Sequence, residues 1–197
     1  MDINSQGRRS RRIVTTVLLA VAAVLGAAPG ASAAGRSCPD AGLVPTRPDQ
    51  LHRLQRATRC LVNRERVRHH LKALRLNGEL EKSALWQGDD MLQHQYFDHS
   101  RPDGPDFVER ILRFGYASTA DGYMLGENLA WASSPIATPR KMVRMWMNSP
   151  PHRRNILTRA FHEQAIGAVW SGGGVGGAYA DSGGPFVIFV NQFGRRY

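Results

Sequence analysis

The apolar residues of this chain change their period part-way along it, and that change limits the folds open to it. From Asp49 they recur at helical spacing, through Leu51, Leu54, Leu61 and Val62 to Leu71 and Leu74, with charged residues filling the opposite face. This pattern predicts a long first helix that Asn77-Gly78 ends. A second helix is predicted from about Glu79 to Gln95, with Leu80, Ala84, Leu85, Met91 and Leu92 turned inward. Asp106 is placed to cap a third through Phe107, Ile111 and Leu112, stopped by Gly115-Tyr116. Thr138-Pro139 opens a fourth, with threonine as cap and proline in the first helical position. The last third reads differently. Residues 166–170 and 186–190 are short β-type runs around a glycine-rich stretch, and Ala178-Tyr179-Ala180 is a candidate further strand. Helices first and antiparallel strands last make one α+β domain.

The N-terminus stands apart. Arg8, Arg9, Arg11 and Arg12 precede an apolar run from Ile13 to Ala28, and Ala31-Ser32-Ala33 supplies the small residues that signal peptidase reads. The run falls short of the roughly 20 residues that a comfortable membrane span needs. Residues 1–33 therefore read as a secretory signal peptide, leaving an exported chain with no stable membrane span. Residues 34–57 then form an arm and the start of the first helix, and residues 58–197 the main domain. Loss of the signal takes four arginines and one aspartate with it, lowering the formal charge from +10 to +7. A basic exported protein is drawn to anionic envelope polymers or lipid headgroups, although a solvated arginine-rich surface accounts for the charge more simply. No nucleic-acid motif accompanies the charge, so nucleic acid is not an expected partner. The two cysteines, Cys38 and Cys60, are expected to pair outside the cell and to tie the arm to the first helix. Arg36 ahead of Ser37-Cys38 does not suit lipoprotein processing.

Three polar segments carry whatever chemistry the chain has. They are Tyr96-Phe97-Asp98-His99, Gly126-Glu127-Asn128-Leu129-Ala130, and Trp146-Met147-Asn148-Ser149-Pro150-Pro151-His152. Taken singly, His99 is a helix-ending histidine and His152 a local cap. Glu127 is harder to explain, because a charge leading into a buried strand is costly unless paired. Other motifs fail on inspection. His162-Glu163 starts like H-E-x-x-H, but Ile166 stands where the second histidine belongs. Asp181-Ser182-Gly183-Gly184-Pro185 is like the nucleophile loop of chymotrypsin-type proteases, yet Ala180 replaces the preceding glycine and the helical first half contradicts a double β-barrel.

In order and spacing these segments resemble the bacterial branch of the CAP (SCP-like) superfamily, which includes cysteine-rich secretory proteins, antigen 5 and plant pathogenesis-related proteins. The marks are Cys60-Leu61-Val62-Asn63 with Arg66, Tyr96-Phe97-Asp98-His99, Pro102-Asp103-Gly104 leading to Glu109-Arg110-Ile111, Gly126-Glu127-Asn128, Trp146 through Leu157, and Ile166-Gly167. The resemblance covers roughly residues 58–194. It implies a three-layer α-β-α sandwich of the CAP type, with a central, mainly antiparallel sheet and a surface cleft lined by two histidines and two acids. His99 and His152 match the histidines, Glu127 matches one acid, and Glu109 is the nearest match to the other. Pro151 stands where bacterial relatives carry glycine. Some members of the family bind a divalent metal in the cleft, so the resemblance implies Zn²⁺ or a similar cation held by His99, His152 and Glu127, with a position left open. Without metal the same residues would form an ion-paired cluster that shapes the loops. The expectation is an extracellular binding module for a lipid, an envelope polymer or a peptide. The alternative is a metal-assisted hydrolase of envelope peptide or polymer, with Glu127 or Glu109 as base.

Overall fold

A computed structural model describes residues 37–197, and the N-terminal signal reading lies outside them. The chain runs α1 (Leu51–Arg68), β1 (Arg75–Leu76), α2 (Gly78–Gln93), α3 (Phe107–Arg113), β2 (Tyr123–Ser133), α4 (Pro139–Asn148), α5 (Pro150–Leu157), β3 (Glu163–Ser171) and β4 (Phe186–Arg196). The four strands lie in the order β1-β3-β4-β2, parallel between β1 and β3 and antiparallel elsewhere.

Strand alternation divides the core in two. Val187, Phe189 and Phe193 of β4 and Ala168 of β3 join Leu54, Leu61 and Val62 of α1, Val143 and Trp146 of α4 and Ile156 of α5. Ile188, Val190 and Val169 point the other way, toward Ala84 and Met91 of α2. Farther along that face Ala165 meets Leu80, Ile111 and Tyr116. Helices thus cover both faces of a mainly antiparallel sheet, the expected α-β-α sandwich. The Cys38–Cys60 disulfide is formed and joins the N-terminal segment to α1.

The expected caps are in place. Asp106 accepts from Glu109 N (2.7 Å) and Thr138 Oγ1 from Lys141 N (3.2 Å). Three expectations change. The first helix stops at Arg68, well short of Leu74. His70 takes the left-handed conformation (φ 57°), Leu71 N donates to Arg66 O and His70 N to Val67 O. That is a Schellman ending built on histidine where glycine is usual, so the sequence carries no stop signal there. Asn77 does not end α1; its side chain caps α2, accepting from Leu80 N (2.9 Å). Residues 178–180 form no strand but lie in a 3-10 turn, Gly177–Ser182.

Gly167 explains how α2 lies so near the sheet. A Cβ there would meet the backbone of Ala84 at 2.5 Å, and one on Gly88 would meet Val169 Cγ2 at 2.6 Å. We expect Gly167→Ala to lower unfolding stability by about 1–3 kcal/mol, since overpacking forces α2 off β3. Urea denaturation monitored by tryptophan fluorescence measures this directly.

Candidate functional site

Strand β2 forms one edge of the sheet, and successive residues of its Gly-Glu-Asn segment serve different purposes. Gly126 faces Phe161 and Asn155; a Cβ there would stand 2.9 Å from the phenyl ring and 3.4 Å from the amide. Glu127 points to the α2/α3 side. Asn128 points to the α5 side. Alternation therefore lets one strand hold both histidine-bearing segments.

Glu127 is the centre of the arrangement, with its side chain 1% exposed. Oε1 accepts from His99 Nδ1 (2.9 Å), while Oε2 accepts from Arg110 Nη2 (2.5 Å) and Gln192 Nε2 (2.9 Å). Arg110 also donates Nη1 to the His99 carbonyl (2.8 Å), so one buried guanidinium fixes both the backbone of His99 and the acid that orients its ring. Gln192 Nε2 lies 3.2 Å from Ser83 Oγ and so links α2 to the cluster. A buried carboxylate with this many donors repays part of its lost hydration.

On the other side, Asn128 Nδ2 donates to the His152 carbonyl (3.0 Å) and Oδ1 accepts from Asn155 (2.8 Å). Asn155 Nδ2 also reaches the Glu127 carbonyl (3.1 Å), and Trp146 Nε1 donates to the Leu129 carbonyl (2.9 Å). Pro150 and Pro151 occupy the first turn of α5, where a missing N–H costs nothing. The His152 ring shares a hydrogen bond through Nδ1 with Ser149 Oγ (2.8 Å). Each imidazole uses Nδ1 on the protein, which leaves Nε2 for a ligand.

The two histidines differ electrically. The hydrogen bond to Glu127 holds the His99 pKa above its ordinary value against the opposing effect of burial. Burial, and then the charge on His99, push His152 below it. Adjacent residues of β2 anchor the two histidine segments: Glu127 holds the His99 ring and Asn128 the His152 carbonyl.

Glu109, expected as the fourth member, does not join this network. It is exposed and pairs with Arg113 one helical turn on. Its neighbour Arg110 turns inward instead and pairs with Glu127. Among the described residues no three His, Cys, Asp or Glu side chains converge closely enough to hold a metal ion. Both Glu127 oxygens are already engaged, which leaves His99 and His152 as the available donors of the expected set. Sequence reasoning missed Arg110, Gln192, Ser149 and Asn155 as participants. Arg110, Ser149 and Asn155 sit inside the quoted motifs, and Gln192 shows itself only as a polar residue continuing a buried strand.

The model of the cysteine-rich secretory protein (CAP) family matches residues 60–192. The chain belongs to the CAP family. It is 38% identical over 113 residues to the uncharacterized protein YkwD of Bacillus subtilis, covering 57% of this chain and 41% of that protein. The fold is similar to that of an extracellular SCP-domain protein from Bacillus anthracis (TM-score 0.57, 24% identity), covering 78% of this chain and 45% of the other. It is also similar to an outer surface protein of Borrelia burgdorferi (TM-score 0.54, 22% identity), covering 71% and 90%. The chain thus spans less than half the length of the two Bacillus proteins.

Two outcomes test the cluster. Arg110→Met should cost about 3–5 kcal/mol in chemical denaturation, because it strands a buried carboxylate. In imidazole NMR titrations of the wild type, His99 should titrate above about 6.5 and His152 below it; Glu127→Gln should lower His99. The sign for stability follows. Protonated His99 favours the folded state fully below its unfolded pKa, and this contribution is lost as pH rises through the raised folded value.

Proposed function

We propose that this CAP domain is an extracellular binding module whose cleft presents His99 Nε2 and His152 Nε2 to a polar ligand. The observation that carries this reading is the placement of Glu127. It lies behind His99, 1% exposed, with both oxygens engaged, so it orients an imidazole and has no free oxygen to take a proton from water. Glu109, paired outward with Arg113, offers no substitute. With neither carboxylate expected as the hydrolase base available, the pair of imidazoles is read as a recognition element. Export is supported by the signal-like residues 1–33 and by the extracellular and outer-surface descriptions of the two similar structures.

The donor set fits a divalent cation such as Zn²⁺ only as an open site of two imidazoles. Its remaining positions would go to water or to the ligand. The carboxylate on the far nitrogen of His99 would fix the tautomer and raise the basicity of that donor. Bound there, a cation would supply an electrostatic anchor for an anionic or carbonyl group of the ligand.

Zinc titration of the purified protein, with His99→Ala and His152→Ala alongside, tests the reading. We expect weak binding at pH 7.5, lost in either variant and falling as His99 protonates; His152→Ala should leave the unfolding midpoint little changed, whereas His99→Ala should lower it by removing a donor from buried Glu127. Zinc binding untouched by both variants would overturn the shared site. Turnover of envelope peptides that disappears in Glu127→Gln would return the hydrolase.

A further inference from the structure

Away from the histidine segments, the loops before β1 and before β3 border an open concavity of about 580 Å³ lined by His70, Lys72, Ala73, Arg75, Arg159, Phe161 and His162. Three of these residues are permanent cations and none is an acid. Lys72 and Arg159 form no ion pair among the described residues, and Arg75 only grazes Glu163 at 3.7 Å, a carboxylate that Arg196 already holds at 3.0 Å. Like charges gathered around one concavity repel each other, and an anion placed among them relieves that repulsion.

The walls are built rather than incidental. Arg66, 1% exposed, reaches across from α1 and donates to the carbonyls of Lys72 (2.9 Å), Ile156 (2.7 Å), Thr158 (2.9 Å) and Phe161 (3.4 Å), which locks the two cavity loops together. Burial lowers its pKa to about 10, which still leaves it charged at neutral pH. Asn63 holds Leu74 by both its carbonyl (3.0 Å) and its N–H (2.8 Å), and Arg75 N donates to the His162 carbonyl (3.0 Å). Phe161, stacked on Phe193 at 5.5 Å, supplies an apolar floor. The cationic side chains project from this fixed frame.

We propose that this cavity binds a phosphate ester carried on a small hydroxylated body. Two guanidinium forks and an ammonium match a phosphate in charge and geometry. The volume exceeds what a bare anion fills, while the imidazoles of His70 and His162 provide further polar contacts for hydroxyl groups. The site shares no lining residue with the histidine cleft and does not depend on the function proposed for it.

Glycerol 1-phosphate titrated into the purified protein by calorimetry at low salt is the test. Inorganic phosphate, glycerol and phosphatidylglycerol vesicles serve as separate arms. We expect glycerol 1-phosphate to bind more tightly than phosphate, glycerol not at all, and affinity to fall at least ten-fold in the double variant Lys72→Gln/Arg159→Gln. Arg144→Gln, which removes an exposed cation of α4, should leave it unchanged, as should His152→Ala. All the cavity substitutions are at exposed positions, and unchanged circular dichroism checks the fold. Equal losses in the double variant and in Arg144→Gln would reduce the effect to net charge and overturn the proposal. So would equal affinity for phosphate and its ester, or binding to vesicles without binding to the soluble ester. Vesicle binding in addition to soluble binding, lost in the double variant, would identify a lipid headgroup as one source of the ester.

Discussion

A single buried carboxylate sets the terms for the rest of this domain. Glu127 lies in the buried stretch of β2, and its charge is tolerated because Arg110, Gln192 and His99 all converge on it. Each donor comes from a different element: α3, β4 and the loop after α2. Satisfying one desolvated acid therefore fixes the relative positions of three parts of the chain. His99 is held by the same bonds, so its placement and the integrity of the α2/α3 layer have a common cause.

The α5 side of β2 is joined without a buried carboxylate. Asn128 and Asn155 join α5 to β2 through amide contacts, and Arg66 binds loops through carbonyl dipoles alone. His99 is thus tied to a titrating network, whereas the backbone around His152 and the basic cavity rests on groups that keep their state across physiological pH.

Much of this was legible in the residues. Capping residues Asp106 and Thr138, the period change and the linked motifs pointed to the layers and the disulfide, and the charge on Glu127 marked a residue that needs partners. What escaped was set by tertiary context. The end of α1 rests on a histidine in the left-handed region, where no local preference marks a stop. The two-residue β1 exists only because Arg75 and Leu76 meet β3. Glu109 and Arg110 are adjacent, and which one turns inward depends on where the α3 face meets Glu127. Sequence spacing does not resolve a single helical step of that kind.

The free edge of β2 has a further meaning. An eleven-residue edge strand exposes carbonyls that another strand could use, and such edges invite association between molecules. Here the outward carbonyls of Glu127 and Leu129 are already taken by the Asn155 amide and the Trp146 indole. The helices that carry His152 and its neighbours thereby close the register that an incoming strand would need. Loosening α5 would therefore uncover a strand acceptor as well as displace a histidine.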